Sequence, residues 1–155
     1  ALACVRGDLR LRSDEVAAVV EFGGEPEGAD LNLLLRRRRV RSERLRAPLD
    51  PAPAQSESLL AYLALRADAR PIVLLRSADR HPGQRAALAR LVALRAETIA
   101  VELREPFALA ALSEVANLGA TFGETEAAFT ALADALCGAF EPSGTLPLGR
   151  AAFAR

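Results

Sequence analysis

The chain has 155 residues, 51% of them apolar and 26% charged, and its 20 Asp and Glu balance 20 basic residues, all of which are Arg. That length suits one domain with a single buried core, and the apolar content excludes a disordered chain. Zero net charge argues against a protein built for nucleic acid or an anionic membrane surface, and no apolar run reaches the ~18 residues a membrane helix needs.

Residues 1–14 (ALACVRGDLRLRSD) read as a lead-in segment, either a strand or hairpin or a stub that packs on a preceding domain. Residues 15–150 read as one domain and 151–155 as a tail. A start at Ala1 and the absence of Met are what a piece of a longer protein shows. No segment has the basic, apolar and small-residue parts of a signal peptide, so the bacterial cytoplasm is the expected location. Cys4 and Cys137 have neither metal-ligand nor Cys-x-x-Cys spacing. Both read as buried or partly buried small apolar residues, and no metal or cofactor is expected.

Three runs predict strands: Glu15 to Phe22 (EVAAVVEF), Pro71 to Arg76 (PIVLLR) and Thr98 to Leu103 (TIAVEL). Each is short, almost continuously apolar and partly β-branched, the pattern of strands buried on both faces. Val115 to Thr121 is a weaker fourth run, because Gly119 interrupts it. Between the first two lie a Gly-Pro loop at 23–28, a short helix at Ala29 to Leu35, an edge strand at Val40 to Leu45 and a stiff connector holding Pro48, Pro51 and Pro53.

Helical patterns separate the strands. Ser56 is placed to cap a helix with Leu59, Leu60, Leu63 and Ala67 on one face. Pro82 suits the first position of a helix carrying Leu88, Leu91, Val92 and Leu94. Pro106 starts a short helix with Leu109 and Leu112. Thr121 and Glu124 have capping-box spacing before a stripe of Phe129, Leu132, Leu136 and Phe140, and Gly138 is a natural stop. Strand and helix alternate, which predicts an α/β three-layer sandwich: a mostly parallel sheet with helices on both faces.

Seven Arg fall between Arg36 and Arg46. Glu43 interrupts them and no aromatic residue interleaves them, so a solvated edge or a domain–domain surface is favoured over phosphate contact. The turn FGGEPEG departs from a dinucleotide loop, and its Glu25 and Glu27 would repel phosphate. His81, Asp79 and Ser77 follow a strand, where parallel sheets place ligand crevices. Capping of the next helix by Asp79 or His81 is the more ordinary role. Glu21, Glu25, Asp79, Glu102 and Glu105 are carboxylates near strand ends, yet no spacing selects the pair that glycoside hydrolysis needs. Glu102 inside an apolar strand calls for an Arg partner, with Arg76 the candidate.

Two long stretches carry a resemblance. TFGETEAAFTALADALCGAFEPSGTLPL, ending in Pro142-Ser-Gly-x-Leu-Pro, resembles the closing segment of the C-terminal α/β sandwich domain of family 3 glycoside hydrolases. HPGQRAALARLVALRAETIAVELREPFALAAL is similar to that domain's Pro-Gly-Gln helix, apolar strand and following turn. The likeness covers residues 71 to 148 well and 15 to 70 in outline, and it implies a flavodoxin-like sandwich. In that family the nucleophilic Asp lies in a separate barrel domain. In its β-glucosidase branch the sandwich donates an acid/base Glu from the loop before the Pro-Gly-Gln helix. Here that loop, Arg76 to His81, has no Glu. The sequence looks more like the β-N-acetylhexosaminidase branch, in which the sandwich supplies no catalytic residue. The resemblance therefore implies an accessory domain whose partner is a barrel in the same polypeptide. No catalytic residue is assigned within this chain. Gly24, Glu25, Ser77, Asp79, His81 and Arg104 are the candidates for a rim facing a saccharide. The competing reading is an independent α/β module that binds a small ligand or a partner protein at its strand ends. Nucleic-acid binding through Arg36 to Arg46 is a third.

Overall fold

A computed structural model of the chain describes residues 2–24, 28–144 and 146. It contains six strands: β1 (Ala3–Arg6), β2 (Val16–Phe22), β3 (Ser42–Ala47), β4 (Ala69–Leu75), β5 (Ile99–Glu102) and β6 (Asn117–Ala120). Four α-helices cover them: α1 (Leu31–Arg37), α2 (Pro53–Ala64), α3 (Pro82–Leu94) and α4 (Glu126–Leu136), with a 3-10 helix at Pro106–Ala111. The sheet order is β1-β6-β5-β4-β2-β3. Every neighbouring pair is parallel except β1 with β6. Setting β1 aside, the order is that of a flavodoxin-like sheet, and its direction of winding reverses between β2 and β4.

Alternation along each strand sorts the core into two layers. Ala18, Val20 and Phe22 of β2, with Val73 and Leu75 of β4, face α2, α3 and the 3-10 helix. Ala17 and Val19, with Ile72 and Leu74, face α1 and α4. Both faces are dry, which explains why β2 and β4 are buried at every position. The expected three-layer sandwich is the observed fold.

Several local expectations shift. α2 begins at Pro53, and the Gln55 side chain accepts the Ala52 N–H at 2.8 Å. Ser56 does not cap it but lies buried in its interior. The stretch from Pro106 winds as a 3-10 helix that still buries Leu109 and Leu112. α4 is capped by Thr125, whose Oγ1 accepts the Ala128 N–H at 3.2 Å, and not by Thr121. Phe122 has φ 57°, which breaks the turn that a cap at Thr121 requires. Thr121 Oγ1 instead donates to the Gly123 carbonyl at 2.8 Å. Phe140 leaves the apolar stripe and is exposed. Cys4 is half-buried, but Cys137 is exposed beyond the last turn of α4, contrary to its expected burial.

The Pro-Gly-Gln start of α3 has a physical cause. A Cβ on Gly83 would come within 2.3 Å of the Pro51 carbonyl, so only glycine lets the connector cross there. Gln84 is wholly buried, accepts the Arg76 N–H at 2.9 Å and donates to the Leu49 carbonyl at 2.7 Å. It thereby fastens the connector to the end of β4. The glycine of the exit motif is explained likewise. Gly144 donates its N–H to Leu2 at 3.1 Å, and a Cβ there would sit 2.4 Å from the Leu2 carbonyl. The chain thus returns beside the edge strand β1, with Leu146 packed on the core. Leu148 lies outside the described residues.

Candidate functional site

The carboxyl ends of β2, β4, β5 and β6 form one edge, where the candidate rim residues stand. Four of the seven positive-φ residues among the described residues lie there. Gly23 and Gly24 after β2 have φ 68° and 105°, Ser77 after β4 has φ 52°, and Phe122 after β6 has φ 57°. Non-glycine residues held in the left-handed region cost of order 1 kcal/mol or more each and persist only where their surroundings fix them.

Two carboxylates brace this edge, one on each face of the sheet. Glu102 is 1% exposed and lies on the α3 face. Its Oε1 accepts the N–H groups of Ser77 at 2.9 Å and Arg104 at 3.1 Å, with Glu105 at 3.5 Å. Its Oε2 accepts the N–H of Ala78 at 3.2 Å. The expected ion pair with Arg76 is absent. Leu75 is the cross-strand partner of Glu102, so Arg76, one residue on, points to the other face of the pleat.

On that other face Arg76 is 4% exposed and meets Glu124, the second carboxylate. Arg76 Nε donates to Glu124 Oε2 at 2.9 Å, and Nη1 donates to the Phe22 carbonyl at 2.8 Å. Arg104 Nε donates to the second oxygen of Glu124 at 2.6 Å. One carboxylate therefore joins the ends of β4 and β5 to the approach of α4. Gly24 closes the side, since a Cβ on it would lie 3.2 Å from Arg76 Nη2. Arg104 is half-exposed and is held to Glu124 through its Nε.

The other candidates are placed less centrally. Asp79 is near Arg80, at 3.9 Å, and Arg80 reaches Glu105 at 3.3 Å. His81 occupies the N-cap position of α3 but makes no side-chain cap bond. Asp79 does not cap the helix either. Asp50 does, accepting the Gly83 N–H at 2.6 Å. Glu25 lies outside the described residues. Glu21 is 1% exposed and holds Arg44 at 2.7 Å on the α1 face, so it and Glu102 occupy opposite faces of the sheet. Among the described residues no group of three or more His, Cys, Asp and Glu is arranged to hold a metal ion, and no helix is long and apolar enough to cross a membrane.

The arginine run is largely committed to the fold. Arg36 donates to the Ser42 carbonyl at 3.0 Å, Arg38 to Asp134 at 2.6 Å, and Arg41 to the Asp14 carbonyl at 2.8 Å. Arg44 bridges Glu21 and Asp30, and Arg46 donates to the Gly24 carbonyl at 3.3 Å. Beside the strand-end loops, a groove of about 490 Å³ opens between the first turns of α2 and α3, lined by Pro51, Ala52, Pro53, Pro82, Ala86 and Arg90.

Sequence reasoning missed Arg76, Glu124 and the role of Glu102. Strand parity was the available signal. It separates Arg76 from Glu102 and leaves each to find a different partner.

No family model matches this sequence, and no curated protein does. Solved structures share its fold. A family 3 β-N-acetylglucosaminidase from Paenibacillus sp. str. FPU-7 superposes with a TM-score of 0.81 at 22% identity, over 94% of this chain and 30% of that one. A fungal multi-domain family 3 β-N-acetylglucosaminidase with a GCN5-related glucosamine N-acetyltransferase region gives 0.69 at 16% identity, over 90% of this chain and 16% of that one. A family 3 β-glucosidase from Bifidobacterium adolescentis gives 0.63 at 17% identity, over 89% and 25%. This chain spans less than a third of each of these enzymes, and its fold is that of one part of them.

Proposed function

We propose that this chain is an accessory domain of a family 3-type glycoside hydrolase of the β-N-acetylhexosaminidase kind. Its partner would be a catalytic barrel in the same polypeptide, in the bacterial cytoplasm. The domain stabilises that barrel and lends its strand-end loops as one rim of the sugar cleft. The observation that carries this reading is the superposition at TM-score 0.81 of nearly the whole chain on a 30% portion of one such enzyme.

The site chemistry supports it. Glycoside hydrolysis uses two carboxyl groups about 5 to 9 Å apart, facing a common sugar. Here Glu21 is tied to Arg44, Glu102 is enclosed by main-chain amides, and Glu124 is held between two guanidinium groups. All three act as struts. The loop from Arg76 to His81 carries no Glu, which suits the branch whose sandwich domain supplies no acid/base.

The test is hydrolysis of nitrophenyl N-acetylglucosaminide. The 155-residue chain alone is expected to show no turnover, while the chain joined to a barrel domain is expected to be active and more heat-stable than that barrel alone. Turnover by the isolated chain that disappears in Asp79→Asn would overturn the proposal.

A further inference from the structure

Two loops that carry rim candidates, 76–80 and 103–106, are tied through side chains by Arg80 with Glu105 and by Glu124 between Arg76 and Arg104. Their main chains are tied by the Glu102 carboxylate. It lies at the last residue of β5, 1% exposed, and collects main-chain N–H groups from both loops: Ser77 and Ala78 from one, Arg104 and Glu105 from the other. A carboxylate is acceptor-only, so it suits a cage made of donors, and an amide or hydroxyl in its place would bring at least one proton into conflict with them. The same cage holds Ser77 at φ 52°, a conformation that costs a serine energy unless its amide is anchored. No guanidinium competes for the carboxylate, because pleat parity sends Arg76 to the opposite face, where Glu124 receives it.

We propose that Glu102 is the positioning residue of the strand-end crevice: it sets where Ser77 and the half-exposed Arg104 stand, without itself touching a ligand. Arg104 is then fixed at two points. Its amide is held by Glu102 at 3.1 Å, and its Nε is held by Glu124 at 2.6 Å. The functional consequence rests on the rim reading above, whereas the structural device does not.

Amide hydrogen exchange of this chain reads the device directly. In Glu102→Ala the amides of Ser77, Ala78 and Arg104 are expected to exchange at least ~10-fold faster, with Val73 and Val101 in the strand interiors changing less than ~2-fold. Sodium formate is expected to restore part of the protection, because it returns a carboxylate to the cage. Formamide, similar in size but carrying N–H groups, is not. Acceleration spread evenly over β4 and β5, or equal rescue by both solutes, would mean a packing role and overturn the proposal. Should the alanine variant fail to fold, Glu102→Gln keeps the volume and is expected to accelerate the same three amides; their unchanged exchange overturns it.

The functional arm uses the chain joined to its catalytic domain. There Glu102→Gln is expected to raise KM for nitrophenyl N-acetylglucosaminide about 5-fold with kcat within about 2-fold. Arg104→Ala separates the two ideas. A KM that responds to Arg104→Ala but not to Glu102→Gln sinks the positioning role alone. If neither changes KM, the rim reading falls with it.

Discussion

The two ends of the parallel sheet solve opposite problems. At the carboxyl end helices begin, and their first N–H groups lack partners. At the amino end helices finish, and their last carbonyls do. Acceptors serve the carboxyl end: Asp30 for the Leu33 N–H, Asp50 for Gly83, Thr125 for Ala128, and Glu102 for two loops. Arginines reach carbonyls at both ends, Arg76 and Arg46 those of Phe22 and Gly24 at the carboxyl end, and Arg95 and Arg70 others at the amino end. Arg95 donates to the carbonyls of Leu63, Arg66 and Ala69 at 3.2, 2.9 and 2.6 Å, closing the end of α2. Arg70 donates to Glu97 and Arg10 carbonyls at 3.0 and 2.8 Å. The amino end is thereby closed by guanidinium groups, with Arg39 at φ 63° in the turn before β3, whereas the carboxyl end holds Ser77 and Phe122 at positive φ and leaves Arg104 half-exposed.

Glu124→Ala should have the largest effect. It leaves the buried Arg76 guanidinium without its ion partner and is expected to destabilise the fold by about 3 kcal/mol, read by urea unfolding. A cost below about 1 kcal/mol would mean the carboxyl end is not held by this triad. Arg95→Ala at the amino end strips three carbonyls of a donor and is expected to cost about 2 kcal/mol in the same measurement. It should leave amide exchange at Ser77 and Arg104 unchanged, because the two ends are separate devices. If it loosens those loops as well, the contrast fails.

Ser77→Gly works in the other direction. It relieves a positive φ and is expected to stabilise by roughly 0.5 to 1 kcal/mol, with a smaller gain when Glu102 is already Gln. Equal gains in both backgrounds would show that Glu102 does not impose the strain. The smallest effect is expected at Asp8, on the exposed loop after β1. Its hydrogen bonds from Arg10 hold the carboxyl below the usual range. A depressed carboxyl stabilises the fold above its unfolded pKa and loses that contribution as pH falls through the folded one. Asp8→Asn should therefore lower Tm slightly near neutral pH and match the parent in strong acid. Exposure keeps the difference small.

Much of the architecture was legible because strands buried on both faces leave a continuous apolar signature. β2, β4 and β5 lie within one or two residues of the expected runs. β3, with its alternating charges, was legible only as an edge. The caps were less so. Thr121 and Thr125 both fit the start of α4, and the choice turned on the left-handed turn at Phe122, which propensity does not reveal in an aromatic residue. The candidate site was legible as a location, since Ser77, Gly24 and Arg104 do lie at the strand ends. Its organisation was not. Arg76 and Glu124 are 48 residues apart in sequence, and only the folded sheet brings α4 over β4.

The edges of the sheet carry one more consequence. β3 bounds one side and presents Glu43, Arg44 and Arg46, whose charges suit water rather than a neighbouring chain. β1 bounds the other and runs against the rest of the sheet, with Gly144 already bonded to the residue just before it. An open row of unpaired main-chain groups is the template on which fibrils grow. Charge on one flank and a main-chain bond from Gly144 beside the other both oppose strand-by-strand recruitment of further copies.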